Sequence, residues 1–143
     1  MLSTNAFDYV NVLDKAADAS WKRESLISNN IANVDTPGYK RQDLDFQSAL
    51  KLELSRSNHD SLDSRVGQMD LTKLNPMTFT DMAGYSYRLD GNNVDIDTEN
   101  VELASEQIRY QAVTTGISQE FSRMKVSRVT PVSRMRVAAS TPT

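Results

Sequence analysis

The sequence of 143 residues contains no cysteine and only one histidine. Without cysteine the chain can form neither a disulfide nor a thiolate that binds metal or attacks a substrate. His59 lies among serine, asparagine and aspartate residues, which is typical of a solvated loop, and no Ser-His-Asp arrangement can be argued around it. The five glycines are dispersed and form no phosphate-binding loop. We therefore expect no enzyme, no catalytic residue and no small-molecule substrate.

Long apolar runs are also missing. The longest uncharged stretches, such as Ser25–Val34, have about ten residues, whereas a membrane-spanning helix needs roughly 20. No cation precedes Lys15 and no apolar segment follows the first residue, so a cleaved secretory signal is not expected. Hydrophobic residues make up 38% of the chain and aromatic residues 7%. This is lean for a compact core, and we expect part of the chain to order only on assembly.

The charge is unevenly distributed, although the net charge is only −3. No acidic residue follows Glu120, but five cations do: Arg123, Lys125, Arg128, Arg134 and Arg136. Such a segment could bind the phosphates of nucleic acid or lipid, yet it lacks interleaved aromatic residues. An acidic neighbour in an assembly is the preferred partner, and nucleic acid is not expected. In that case assembly should weaken as the salt concentration rises.

One set of acidic residues has the spacing of a calcium-binding loop. Asp95, Asp97 and Glu99 alternate, and Glu106 stands at the twelfth position of the motif. The sixth position is Asn100, however, where that loop requires glycine. The acidic residues are more simply explained as the start of a helix. We therefore expect no metal ion and no cofactor.

The N-terminal third predicts one long helix over residues 3–34. Its apolar residues recur in alternating steps of four and three, with Ser20 and Glu24 as interruptions. This pattern fits a coiled-coil seam, and it fits equally an amphipathic helix that packs on its own core. Pro37 ends the helix, and the sequence from Thr36 to Tyr39 fits a type II turn with glycine at the position of positive φ. The apolar positions are Ala6, Val10, Leu13, Ala17, Ile27, Ile31 and Val34.

The middle of the chain predicts less regular structure. Asp43 or Asp45 could cap a second helix over 46–54, although its alternating leucines also permit a strand. Residues 55–76 are polar without sustained periodicity, so we expect a flexible loop. Two alternating segments around an Asp-Gly-Asn-Asn turn predict a small hairpin over 85–96.

A second long helix is predicted from Asp97 or Thr98, as its cap, to about Val129. Pro131 stops it. Its apolar stripe consists of Leu103, Tyr110, Val113, Ile117, Phe121 and Met124. The predicted fold is thus mainly α, with long, coiled-coil-like N- and C-terminal helices flanking a loop-rich middle that holds a short β-hairpin.

Four regions follow: an N-terminal helix, a middle segment, a C-terminal helix and an unplaced basic tail. Their bounds are 1–36, 37–97, 98–129 and 130–143. Helix packing is assigned to Leu13, Ile27, Ile31, Tyr110, Val113, Ile117 and Phe121.

The segment Ser28-Asn-Asn-Ile-Ala-Asn-Val-Asp-Thr-Pro-Gly-Tyr-Lys40 resembles the N-terminal signature of bacterial flagellar rod, hook and hook-associated proteins. The form Asp-Thr-Pro-Gly-Tyr-Lys-Arg is most similar to that of the rod members, and so is Asp90-Gly-Asn-Asn-Val-Asp-Ile-Asp-Thr-Glu99. The resemblance covers about 5–54 and 85–125, and implies an assembly motif rather than a catalytic site. The motif residues are Asn29, Asn30, Asn33, Thr36, Pro37, Gly38 and Tyr39.

The resemblance implies a structural subunit of the proximal rod of the flagellar basal body, needed for flagellum assembly and motility. In this family the terminal helices coil together in the core of the filament. The implied partners are other copies of the chain, other rod and basal-body proteins, and the flagellar export apparatus. Such proteins reach the periplasm-spanning rod without a cleaved signal peptide. The alternative is a soluble helical adaptor or secretion chaperone that binds a partner helix through the same apolar stripes.

Overall fold

Two long helices dominate the computed structural model, which describes residues 5–57, 61–82 and 88–129. Helix α1 spans Asn5–Ala32 and helix α4 spans Ile96–Val129. The mainly α fold with long terminal helices is confirmed. His59, the tyrosines of the expected hairpin (85 and 87) and the tail 130–143 lie outside the described residues.

Helices α1 and α4 pack against each other in antiparallel directions. Glu106 of α4 is bonded to Arg23 of α1, and Glu99 is bonded to Asn30, so the partners in α4 move toward its start as α1 advances. Farther toward the start of α1, the Cδ1 atom of Leu13 lies 3.7 Å from the position a Cβ would take at residue 116. A side chain as small as alanine at residue 116 would therefore make only an ordinary van der Waals contact with Leu13.

The segment between the long helices folds back along α1. Helix α2 spans Phe46–Arg56, helix α3 spans Leu62–Gly67, and a short 3-10 helix spans Leu71–Lys73. The prediction of a flexible loop over 55–76 is therefore wrong where these helices fall within that range. Val66 and Leu74 are buried, and the Tyr9 hydroxyl donates a 2.6 Å hydrogen bond to Asp63. Two anchoring residues were too few to give a periodic signal in the sequence.

The single sheet of the described residues joins two short antiparallel strands, β1 (Gln42–Leu44) and β2 (Thr78–Thr80). Asp43 pairs with Phe79 in its centre. The hairpin predicted over 85–96 is wrong in its second half, because Val94 and Asp95 are in no strand and Ile96 begins α4. The alternation near Val94 reflects one buried side chain beside the cluster described below, and not a pleated strand.

Aspartate residues cap helices α2 and α4, but the cap of α4 is not the one expected from the sequence. Asp45 caps α2 by accepting a 3.0 Å hydrogen bond from the Ser48 N–H. In α4 the cap is Asp95 rather than Asp97 or Thr98, and its carboxylate accepts hydrogen bonds from the N–H groups of both of those residues. The cap of α4 therefore lies two or three residues before the predicted cap.

Among the described residues, more polar than apolar side chains are buried. The buried apolar residues are Ala19, Ile27, Leu44, Val66, Leu74 and Val94; the buried polar residues are Ser20, Asn30, Asp43, Glu53, Asn92, Glu99 and Glu106. Burial of a polar group is unfavourable unless it is hydrogen-bonded. Among the described residues, every buried side-chain nitrogen and oxygen has a partner. None of the described helices is both long and apolar enough to cross a membrane.

Candidate assembly site

The end of α1 is organised around the side-chain amide of Asn30, which is completely buried. Its Nδ2 atom donates to the Gln42 carbonyl at 2.8 Å and to the Glu99 carboxylate at 3.0 Å. Its Oδ1 atom accepts from the Gln42 N–H at 2.9 Å and from the Tyr39 hydroxyl at 3.2 Å. Both donors and both acceptor positions of the amide are thus in use. The amide binds Gln42 as a neighbouring strand would, and it fixes the start of β1 against both long helices.

The turn after α1 has the geometry that its sequence predicts. Gly38 has a φ of 71°, and the Tyr39 N–H donates to the Thr36 carbonyl at 3.2 Å, as in a type II turn. The turn is bound to a second one, because the Gly38 N–H donates to the Asp90 carbonyl at 2.8 Å. Gly91 also has a positive φ, 76°, and a Cβ there would lie 3.8 Å from the Cα of Gly38. The two glycine turns therefore lie against each other.

Asn92 closes the C-terminal end of α1. Its Nδ2 atom lies 2.9 Å from each of three backbone carbonyls, those of Asn33, Val34 and Thr36. Its Oδ1 atom accepts from the Val94 N–H at 2.8 Å, and the side chain is buried. These carbonyls belong to the turn that follows α1, and each accepts a further hydrogen bond, from the Thr36 N–H, Arg88 or the Tyr39 N–H. Asn92 therefore adds a buried anchor that fixes this turn.

Two arginines join this end of α1 to α4 and to β1. Arg23 binds Asp43 at 2.8 Å and Glu106 at 2.8 Å. Arg41 binds Glu99 at 2.7 Å and Asp43 at 3.1 Å. Arg41 also binds Asp81 at 3.4 Å. Asp43 and Asp81 come from the segment between the long helices, and the other carboxylates come from α4. We call Arg23, Asn30, Arg41, Asp43, Asn92, Glu99 and Glu106 the polar cluster.

The charges of the cluster support one another. The pKa of Arg23 is raised by its hydrogen bond to Asp43 and by Glu106 and Glu102, which together outweigh the opposite effect of burial. Burial by itself would raise the pKa of Asp43, but hydrogen bonds from Arg23 and from the Leu44 N–H, with the charge of Arg41, lower it below its ordinary value. These shifts favour the ionised forms of Arg23 and Asp43 near neutral pH.

The structure brings together only part of the predicted assembly motif. Asn30 and Tyr39 meet in the polar cluster, and the backbone of Asn33 and Thr36 is bound by Asn92. The Asn33 side chain instead donates to the Asn29 carbonyl at 2.8 Å. Asn29, Thr36, Pro37 and Gly38 are exposed. The role of the motif in assembly stays a prediction.

The residues predicted to pack the helices differ widely in burial. Ile27 is completely buried, whereas Phe121 is 49% exposed. The remaining five, Leu13, Ile31, Tyr110, Val113 and Ile117, are intermediate. Their part in packing between subunits stays a prediction.

The sequence analysis missed most of the polar cluster. Glu99 and Glu106 were considered only as metal ligands, and Asn92 only as a turn residue. Instead Glu99 and Glu106 are bonded to arginines, and the described residues contain no group of three or more histidine, cysteine or acidic side chains arranged to hold a metal ion. One signal was available: Glu99 and Glu106 stand seven residues apart, which places both on one face of a helix.

Comparison with known proteins identifies the family. A model of the family described as "Flagella basal body rod protein" matches residues 21–40, the end of α1 and the turn. FlgB of Bacillus subtilis (strain 168), a flagellar basal body rod protein, is 37% identical over 113 residues, which are 79% of this chain and 87% of that protein. The chain belongs to the FlgB family of flagellar basal body rod proteins. It is a structural subunit of the rod that acts in flagellar assembly.

Other FlgB proteins show the same extent of similarity. FlgB of Escherichia coli (strain K12) is 34% identical over 115 residues, covering 72% of this chain and 80% of that protein. FlgB of Borrelia hermsii is 30% identical over 129 residues, covering 82% and 93%. Membership of the FlgB family decides between the two functions expected from the sequence in favour of the rod subunit, and against the adaptor or secretion chaperone.

Proposed function

We propose that this chain enters the rod through α1 and α4, with other copies and other rod or basal-body proteins as its neighbours. In this proposal the polar cluster fixes the segment 37–97 relative to the two helices. The observation that carries the proposal is the saturated amide of Asn30, which binds β1 and α4 at once. A rod subunit must present its surfaces at a constant angle, and a buried, fully bonded polar group specifies one arrangement.

The outer faces of the long helices support this role. Phe7 and Trp21 of α1 are 63% and 67% exposed, and Val101 and Ile108 of α4 are 71% and 69% exposed. Their burial between subunits would be favourable at about 25 cal/mol for each Å² removed from water. With only six buried apolar side chains among the described residues, the isolated chain has a small core of its own. Assembly would therefore supply much of the order of the two helices.

We further propose that the chain reaches the rod through the flagellar export apparatus, without a cleaved signal peptide, and folds fully against its neighbours. This part rests on the resemblance of its motifs to those of axial flagellar proteins. A chain that orders on assembly offsets the entropy of ordering with the surface buried between subunits.

The role of the polar cluster can be tested with Asn30→Asp, which keeps the size of the side chain. The substitution removes the donors to Gln42 and Glu99 and places a second carboxylate about 3.0 Å from Glu99. The expected loss in the free energy of unfolding is about 2–4 kcal/mol. Incorporation into detergent-extracted basal bodies should fall strongly in cells that lack the parent chain. Asn11→Asp, an exposed asparagine of the same helix outside the assembly motif, is the matched control.

A second pair of variants separates assembly from folding. Trp21→Ala removes an exposed side chain of α1, and Leu62→Ala removes one of similar exposure, 58%, from α3. Both should leave the free energy of unfolding within about 0.5 kcal/mol of the parent. Only Trp21→Ala should reduce incorporation. Equal incorporation of Asn30→Asp and Asn11→Asp would contradict the role of the cluster. Unchanged incorporation of Trp21→Ala would contradict assembly through the outer face of α1.

A further inference from the structure

The outer edge of strand β2 is unpaired in the part of the chain that the structure describes. The sheet has two strands, and the Asp81 N–H next to β2 donates to the Arg41 carbonyl at 2.9 Å. In an antiparallel pair, residues that exchange hydrogen bonds alternate with residues whose backbone groups point away from the partner strand. Because the register sets Asp81 opposite Arg41, the backbone groups of Thr78 and Thr80 point away from β1.

The opposite edge of the sheet shows the same alternation, but there the outward groups are satisfied. Gln42 of β1 stands opposite Thr80, and its N–H and carbonyl both bind the Asn30 amide. Among the described residues, no group binds the outward N–H groups and carbonyls of Thr78 and Thr80. One edge of the sheet is therefore closed by a side chain, and the other edge is open.

The open edge lacks the charges that usually prevent strands from pairing between molecules. No residue between Lys73 and Asp81 is charged, and all three residues of β2 are exposed. Phe79 is 46% exposed, and Met77 and Met82 beside the strand are 85% and 77% exposed. An exposed apolar strand edge of this kind is a pairing site for another extended segment.

The sequence of this edge is complementary to itself, because Thr78-Phe79-Thr80 reads the same in both directions. Two antiparallel copies related by a two-fold axis at Phe79 would set Thr78 of one copy opposite Thr80 of the other, on both sides of the axis. Threonine pairs and aromatic pairs on neighbouring strands are favourable, and this register brings Phe79 opposite its counterpart. It also sets Asp81 opposite Met77, so that like charges do not meet.

We propose that the free subunit pairs with a second copy of this chain through the open edge of β2, about a two-fold axis at Phe79. The two sheets then form one antiparallel sheet of four strands, in which Thr78 and Thr80 exchange main-chain hydrogen bonds across the axis. The contact is small, so the dimer is weak and reversible. A two-fold contact closes after two copies and cannot extend a rod, so this pairing concerns the subunit outside the rod.

Charge substitutions at the edge test the proposal in the full chain. The variant Thr78→Lys/Thr80→Lys places lysine opposite lysine in both pairs across the axis, whereas Thr78→Lys/Thr80→Glu places lysine opposite glutamate. Both positions are exposed, so the free energy of unfolding of the monomer should change little. The two lysines reduce the net negative charge of the chain, which is −3, so general repulsion between copies cannot explain weaker pairing of that variant. Sedimentation velocity from about 10 to about 500 µM measures the association constants.

The parent should dimerise reversibly within this range. The lysine–lysine variant should associate at least about ten times more weakly than the parent, because each substitution acts twice in a two-fold contact, and the lysine–glutamate variant should recover most of the loss. Raising the salt concentration should reduce the difference between the two variants. A parent that stays monomeric at the highest concentration would overturn the proposal. Equal association constants of the two variants would also overturn it, because the dimer would then use another surface.

Single cysteines test the register, because the parent has none. A chain with Thr78→Cys is mixed with a chain with Thr80→Cys, and each chain alone is the control. In the proposed register residues 78 and 80 of different copies have Cα atoms about 5.5 Å apart, within the range for a disulfide, whereas two copies of the same residue are diagonal neighbours at about 7–8 Å. Non-reducing electrophoresis and mass spectrometry should show the mixed disulfide forming about ten times faster than either control. Equal rates would contradict the two-fold axis at Phe79.

Discussion

At the scale of single residues, the molecule depends on polar side chains whose hydrogen-bonding capacity is fully used. Asn30 binds both backbone groups of Gln42, and Asn92 binds carbonyls of the turn that follows α1. Asp43 joins the two arginines of the polar cluster, since one of its oxygens accepts from Arg23 and the other from Arg41 as well as from Arg23. Removal of one partner should lower the free energy of unfolding by more than the intact set contributes to it, because the remaining groups are left buried and unpaired.

The lowered pKa of Asp43 gives a testable dependence of stability on pH. A carboxyl whose pKa is lower in the folded state stabilises the fold above its unfolded pKa, near 3.9, and this contribution is lost as the pH falls through the folded value. Asp43→Asn should lower the free energy of unfolding by about 2 kcal/mol at pH 7. The difference from the parent should shrink below about pH 4. Urea unfolding of both proteins between pH 3 and 7 measures it; a difference that stays constant would contradict this role.

The sequence could single out some of these residues but not their partners. Three asparagines near the end of α1 were equivalent by composition, and only the packing shows that Asn30 faces inward while Asn29 is exposed. Glu99 and Arg41 are 58 residues apart in the chain. Periodicity places a residue on a face of its own helix, but it does not say what lies opposite.

At the scale of elements, α4 reverses the usual distribution of charge. Glu99 and Glu106 face α1 and are each 1% exposed, while Val101, Ile108 and Val126 are more than 60% exposed. An amphipathic helix of a free-standing domain places its charges in water and its apolar residues inside. The reversal supports the proposal that neighbouring subunits cover the outer face of α4 in the rod.

Substitution by alanine should change the stability in opposite directions at Gly38 and at Gly116. Gly38 has a φ of 71° with open space around it, so Gly38→Ala costs only backbone strain, about 1 kcal/mol. Gly116 lies within α4, and a Cβ there would meet Leu13 at an ordinary 3.7 Å, so Gly116→Ala should stabilise by up to about 1 kcal/mol. Thermal unfolding of the two variants and the parent measures both. A stabilised Gly38→Ala protein would show that the turn tolerates a side chain without strain.

The sequence predicted the long elements well and the short ones poorly. The predicted helix over 3–34 became α1 at Asn5–Ala32, because a periodic pattern of about 30 residues is a strong signal. The two strands have three residues each and lie in parts of the chain 36 positions apart, Gln42 to Thr78. Three residues are too few to show an alternating pattern. The position of β1 depends instead on the tertiary fold, because the Asn30 side chain binds the backbone of Gln42.

At the scale of the whole molecule, the two segments that resemble flagellar axial proteins form one structural unit. The segment from Ser28 to Lys40 contains Asn30 and the first glycine turn, and the segment from Asp90 to Glu99 contains the second turn, Asn92 and the first carboxylate of α4. Their contacts bring the C-terminal end of α1 to the N-terminal end of α4. A subunit built in this way can present α1 and α4 as one body while the middle segment keeps a constant position.

The central claim, that this FlgB-family chain is built into the rod, is tested most directly by fractionating cell envelopes. Envelopes are extracted with detergent and sedimented, and the chain is detected in each fraction with an antibody. The account predicts that the chain sediments in large detergent-resistant particles, and that complete particles are lost when the chain is deleted and restored when it is returned. Recovery of the chain only in the soluble fraction, bound to another exported protein, would contradict the account and favour an adaptor.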